Sequence, residues 1–130
     1  MNVKEHVEKA GRFERSIKKL DAAEDCESIM WARMHVCTNL LNAAFHAAGI
    51  TPEDFDFSHT WYLEKFPDQA HLEKTVNGEF REALRKLTVF EHLRETCVRG
   101  PAPYGPALLA ESGEAYLHIR EFCAKHTGTP

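Results

Sequence analysis

The 130-residue sequence has no C-x-x-C pair, no glycine-rich phosphate loop and none of the H-x-x-x-H, H-x-x-E-H or E-x-x-H spacings that mark metal sites on helices. Its four cysteines, Cys26, Cys37, Cys97 and Cys123, stand far apart, and the N-terminus alternates charges with single apolar residues, so no secretory signal is read there. Both features point to reduced thiols in a cytoplasmic protein. Positive charge is not in excess. The net charge of -4 excludes a general electrostatic trap for nucleic acid or anionic membrane, and any such contact needs a local basic patch. The longest uncharged run, from Met34 to Pro52, contains His35, Thr38, Asn39, Asn42 and His46, which argues against a membrane-spanning helix. Strand-like alternation, internal repeats and low-complexity tracts are also missing.

What is present is helical periodicity. Val3, Val7, Ala10, Phe13, Ile17 and Leu20 recur every three or four residues, opposite a charged face. Asp21 followed three residues later by Glu24 predicts the start of a second helix that runs to Ala48 and stops at Gly49. Ser58 reads as the cap of a short helix over His59 to Phe66, ended by Pro67. Asn77-Gly78 reads as a turn. From Glu79 a third long helix carries Phe80, Ala83, Leu84, Leu87, Phe90, Leu93 and Cys97 on its core face as far as Gly100. After the stiff "GPAPYGP" connection, a last helix opens near Pro106, buries Leu108 to Cys123 at helical spacing and frays at "TGTP". The expectation is a single all-α domain over 1–130, an antiparallel four-helix bundle with a short extra helix in the second connection.

The second helix raises the main question. His35, Asn39, Asn42 and His46 form a polar stripe on an otherwise apolar helix. Buried imidazoles and amides without partners cost about 1–3 kcal/mol each. The stripe is therefore expected to meet another chain, a water-filled groove or polar groups of a neighbouring helix, against the plainer reading of a partly exposed polar face. His35 and His46 cannot share one ion, because eleven residues rise about 16 Å along a helix. Neither a metal nor a cofactor is expected. A second strip, Arg81, Arg85, His92 and Arg99, lies along one side of the third long helix. It can contact phosphates, although a charged face of this kind is commonly just solvated. The cysteines fall on apolar stripes, where a small buried thiol explains them.

The order of certain features resembles the HEPN family of helical bundles. They are the Arg of the second helix (Arg33, in "RMHVCTNLLNAAFHAAGI"), the Ser-His after the loop (Ser58 and His59, in "SHTWYLEKF"), and the Arg and Tyr around the end of the third helix (Arg94 and Tyr104, in "HLRETCVRGPAPYG"). "ESGEAYLHIREFCAKH" closes the chain. The resemblance spans about residues 13–126. It implies a homodimeric bundle, association with a nucleotidyltransferase and, in many members, metal-independent RNase activity from an Arg and a His with four to six residues between them at the end of the third long helix. Here no His follows Arg94 at that distance. Arg85 and His92 have the spacing but sit one turn too early. The reading is thus a non-catalytic interaction or nucleotide-binding module. Its ligand-binding candidates are Arg94, Arg99, Tyr104, His35, Asn39, Asn42, His46 and His59. The alternatives are an RNase using Arg94 or Arg85 with His92, or a purely structural homodimer.

Overall fold

The first helix begins at a reciprocal cap. Asn2 Oδ1 accepts from the Glu5 amide at 2.9 Å while Glu5 Oε2 accepts from the Asn2 amide at 2.8 Å, satisfying two of the amides that a helix start leaves free. In the computed structural model, which describes residues 1–128, every regular element is helical. The long helices are α1 (Val3–Ile17), α2 (Cys26–Ala47), α4 (Gly78–Leu93) and α5 (Pro106–Thr127), with a short α3 (Gln69–Thr75) and a 3₁₀ turn over Thr60–Lys65 in the second connection. α1, α4 and α5 all pack on α2, and α4 and α5 pack on each other. That explains why α2 is apolar nearly all round rather than striped. Val36, Cys37, Leu40, Leu41, Ala43, Ala44 and Phe45 are fully buried along it, joined by Leu87, Phe90 and Ile119 from the helices that cover it. Each large side chain so buried is worth about 1.5–3 kcal/mol relative to exposure. The four cysteines are free and buried, as the apolar stripes imply.

Several boundaries differ from the sequence reading. The Asp21 pattern does hydrogen-bond, with Oδ1 accepting from Ala23 N at 2.7 Å and Glu24 N at 3.1 Å, but it closes a turn between α1 and α2. The helix itself starts at Cys26, because the Asp25 carbonyl is the first to accept an intrahelical bond, from Ile29 N. Ser58 is exposed and caps nothing; the short helix there is the 3₁₀ turn with His59 at its N-terminal flank. Asn77-Gly78 is the entry to α4 rather than a free turn. α3, capped by Asp68 Oδ1 accepting from His71 N, is too short to show a period in the sequence. Gly49 and Gly128 take left-handed φ values of 72° and 70° just past α2 and α5, the usual helix stop. The last residues of "TGTP", 129 and 130, lie outside the described residues.

The third long helix does not run evenly to Gly100. After Leu93 it widens into a π turn over Arg94–Val98, in which Arg99 N donates to Arg94 O at 2.9 Å. Gly100 makes this possible: a Cβ there would lie 2.7 Å from Thr96 O and 2.9 Å from Glu95 O. Arg94, the first residue of this turn, reaches His59 at the N-terminal flank of the 3₁₀ turn. Among the described residues, no helix is long and apolar enough to cross a membrane.

Candidate functional site

Two polar clusters stand out. The first is a cleft of about 420 Å³ lined by His59, Trp61, Glu91, Arg94, Glu95 and Arg99. Thr60 ties its two walls together, donating from its backbone N to Glu91 Oε1 at 2.6 Å and from Oγ1 to Glu91 Oε2 at 2.7 Å. That clamp occupies the Glu91 carboxylate and sets His59 against Arg94, whose Nη1 donates to His59 Nε2 at 3.3 Å. A guanidinium can only donate, so His59 Nε2 is the acceptor and its hydrogen sits on Nδ1. The Arg94 guanidinium also lies 5.5 Å from the Trp31 ring centre, a cation–π contact worth about 0.5–1 kcal/mol when exposed. Its Nε is buried and has no hydrogen-bond partner among the described residues. Trp31 and Trp61 are 40% and 55% exposed, and Trp61, which lines the cleft, is stacked on His59 at 5.9 Å. Glu95 is 3.6 Å from Arg99, an exposed pair of small energetic weight.

The second cluster explains the α2 stripe. Asn42 is committed inward: its Oδ1 accepts from Phe57 N at 2.9 Å and its Nδ2 donates to Phe57 O at 2.7 Å, so the amide substitutes for a backbone partner and pins the 50–57 loop to α2. Asn39 Nδ2 donates to His35 O at 2.8 Å, leaving Oδ1 to accept from His6 Nδ1 at 2.9 Å. His46 Nδ1 is 3.0 Å from both the carbonyl and the hydroxyl oxygen of Thr51. The far nitrogens of both rings, His6 Nε2 and His46 Nε2, each lie 2.9 Å from Asp56 Oδ1. The N-terminal amine of Met1 donates to the other oxygen, Oδ2, at 2.8 Å. Partial burial pushes the Asp56 carboxyl up, but the hydrogen bonds from the amine, His6 and His46 together outweigh it and hold it down to about 2.

The structure thus divides the candidates expected from sequence. Arg94, Arg99 and His59 share the cleft. Tyr104 does not belong to it: its hydroxyl is taken up by Ser112 Oγ at 2.8 Å, to which Arg33 Nη1 also donates at 3.0 Å, so Arg33 and Tyr104 together brace α2 against the start of α5. Arg85 is exposed and pairs with Glu82 at 2.6 Å, and neither it nor the exposed His92 lines the cleft. His35 belongs to neither centre; it stacks on Phe13 at 4.9 Å and meets Trp31 edge-on, and burial lowers its pKa, helped by Lys9 and Arg94. Asn42 and His46 meet the chain's own 50–57 loop, whereas Asn39 meets His6 of α1. Of the expected partners, the neighbouring helix therefore holds for Asn39, and neither another chain nor an open groove is needed for these three residues. A third concavity of about 360 Å³ includes Glu14, Arg33, Tyr116 and Arg120, but Glu14 already takes the Tyr116 hydroxyl and the Arg120 guanidinium.

His6 and Asp56 were not among the expected residues. His6 did leave a trace in the sequence, since it lies three residues after Val3 and four before Ala10 on the buried side of α1. Asp56, in a loop, left none. Comparison of the chain with family models, curated proteins and solved structures finds no match.

Proposed function

We propose that the Arg94 cleft binds a phosphate-bearing nucleotide, free or within single-stranded RNA, without chemical turnover. The observation that carries this reading is the Arg94 guanidinium. It is permanently charged, its partners among the described residues are an imidazole nitrogen and an indole face, and neither is a carboxylate. A guanidinium matches phosphate oxygens in a two-pronged geometry, and such charge-assisted bonds are roughly twice as strong as neutral ones. Trp61, 55% exposed in the cleft wall, offers a stacking surface, worth about 1–3 kcal/mol per base in single-strand binding proteins. Arg99 adds a second guanidinium at the rim, paired with Glu95 at 3.6 Å. The net negative charge of the whole chain limits the contact to this local patch.

The HEPN resemblance supports the same end of the molecule through Arg94 and His59. With it we read the four long helices as an antiparallel bundle of that type, and a nucleotidyltransferase as the partner protein. A homodimer remains part of this reading, although the small residues of α2 are consumed inside the chain and some other face must serve; light scattering gives the mass. The pairing of Arg94 with His59 favours one second reading, metal-independent RNA cleavage. The Arg–His pair that is missing along the helix is met through space, and an imidazole can move a proton at the 2′-hydroxyl or the leaving oxygen.

The test is tryptophan fluorescence titrated with adenosine monophosphate and with a short single-stranded RNA, metal chelated, with the RNA then run on a gel. Saturable quenching that weakens at least tenfold in Arg94→Ala is expected, with intact RNA. Quenching that is absent, or unchanged in Arg94→Ala, overturns the binding site. Cleavage that disappears in His59→Asn replaces the leading reading with the second.

A further inference from the structure

The His6–His46–Asp56 cluster has no part in the nucleotide reading, and its geometry is that of a cation site. Asn39 Oδ1 must accept from His6, because its own Nδ2 is spent on His35 O; the Nδ1 hydrogen of His6 is thereby fixed. The Thr51 carbonyl, an acceptor only, draws the Nδ1 hydrogen of His46 in the same way. Both Nε2 atoms point at one carboxylate oxygen at hydrogen-bonding distance, so without an ion hydrogens on Nε2 bridge to Asp56 Oδ1, and a bound ion would take the place of those hydrogens. The three atoms lie within 4.8 Å of one another. Three atoms able to ligate a metal thus converge from α1, α2 and the 50–57 loop.

We propose that His6 Nε2, His46 Nε2 and an Asp56 oxygen bind one divalent first-row transition ion, with zinc as the representative. Two imidazoles and one carboxylate suit zinc and its neighbours rather than calcium or magnesium, which prefer all-oxygen shells. The supporting shell is already in place. Ligating histidines characteristically donate their other ring hydrogen to a carbonyl or carboxylate, which fixes ring orientation and tautomer; here Asn39 Oδ1 and Thr51 O hold those positions. Asn42 adds rigidity by fastening Phe57, the neighbour of Asp56, to α2. The two histidine side chains are 4% and 1% exposed, whereas that of Asp56 is 37% exposed, so the ligands are held from inside and the ion enters over the carboxylate. The Met1 amine donates to the other carboxylate oxygen, Asp56 Oδ2, leaving Oδ1 to the ion. Ligands at about 2.0–2.2 Å around a tetrahedral ion stand about 3.3 Å apart. The 2.9 Å separations therefore open by a few tenths of an ångström on binding, within reach of a loop carboxylate.

Spacing along the sequence could not reveal this site, since the ligands are 40 and 10 residues apart in the chain (6 to 46, 46 to 56). The expectation of no metal rested on the absence of paired ligands within one helix, and the tertiary fold supplies the pairing from three elements instead.

The experiment is zinc titration of the untagged, metal-stripped full chain by calorimetry, with ring-nitrogen NMR of the wild-type histidines on the same samples. One zinc per chain is expected, with the Nε2 resonances of His6 and His46 both shifting and their Nδ1 atoms keeping hydrogen. Asp56→Ala, a change at an exposed side chain, should weaken binding at least tenfold. Asn39→Ala should weaken it about 10–100-fold, the usual cost of losing a supporting partner. His71→Asn should leave it unchanged. No one-to-one binding at micromolar zinc overturns the proposal, as does binding that survives Asp56→Ala undiminished or that moves the resonances of other histidines. Because the NMR readout uses wild-type protein, a misfolded variant cannot rescue or sink it.

Discussion

The Arg94 cleft and the His6–His46–Asp56 cluster are built from the same kinds of side chain, yet they are left with opposite deficits. In the cleft the surplus is of donors: a guanidinium with a buried Nε unpartnered and no carboxylate on it, beside a histidine whose acceptor nitrogen is already used. In the cluster one carboxylate oxygen takes both ring nitrogens, whose bridging hydrogens a metal ion can replace. One arrangement calls for an anion and the other for a cation. What sets them apart is the backbone each is given. The cleft opens between a π turn and a 3₁₀ turn, whereas the cluster is braced by side-chain amides that stand in for backbone partners of a loop.

The strongest way to break the comparison is Asn42→Leu. It leaves the Phe57 N–H and carbonyl without their partner in a buried setting, at about 1–3 kcal/mol for each orphaned group. A loss of about 2–4 kcal/mol in urea unfolding is expected. Zinc affinity should fall with it, because the loop carrying Asp56 is released, while nucleotide binding to the folded protein stays intact. If both functions fall together in protein that is still folded, the two centres are one coupled unit and the contrast fails.

Arg94→Ala cuts the other way. It should remove at least tenfold, about 1.4 kcal/mol, of nucleotide affinity, leave zinc binding unchanged and cost the fold no more than the cation–π contact, about 0.5–1 kcal/mol. Arg94→Lys should recover only part of the affinity, since an ammonium keeps the charge but not the planar fork. Thermal unfolding run beside the fluorescence titration separates the two effects.

A pH scan asks whether both centres rest on the same core. Burial raises the Cys37 thiol well above its ordinary 9.0 and, together with the Glu14 carboxylate, raises the Tyr116 phenol; burial also raises Tyr104, with Ser112 and Arg33 partly offsetting it. For each, the folded state favours the neutral form. Their contribution is therefore complete below the unfolded values of 9.0 and 10.0 and is lost as pH rises through the higher folded values. Stability by chemical denaturation should hold at neutral pH and decline above about pH 9–10, and nucleotide and zinc binding should disappear with it.

The smallest effect belongs to the discarded pair. Arg85→Ala removes an exposed ion pair with Glu82 and should change stability by less than about 0.5 kcal/mol. Neither Arg85→Ala nor His92→Ala should alter nucleotide binding, because neither side chain lines the cleft. A measurable loss of nucleotide binding in either would enlarge the site along α4.

By itself the sequence determined the all-α class, the four long helices and most of their buried faces, because those follow from local rules: apolar spacing near 3.6, glycine stops after α2 and α5, and proline at the start of α5. It also marked Arg94, Arg99 and His59, and it flagged the α2 stripe as needing partners. Tertiary structure alone decided who those partners are. Asn42 reads as a polar intruder until Phe57 is brought against it, and His6 reads as a misplaced core residue until Asn39 and Asp56 flank it. Tyr104 was credited to the wrong centre because nothing local ties its hydroxyl to Ser112. The π turn that begins at Arg94 depends on a close approach between Gly100 and the Glu95 and Thr96 carbonyls, which apolar periodicity does not encode. Helix formation is a property of neighbours in the chain, whereas a binding centre depends on which donors and acceptors remain unspent once distant segments have packed together.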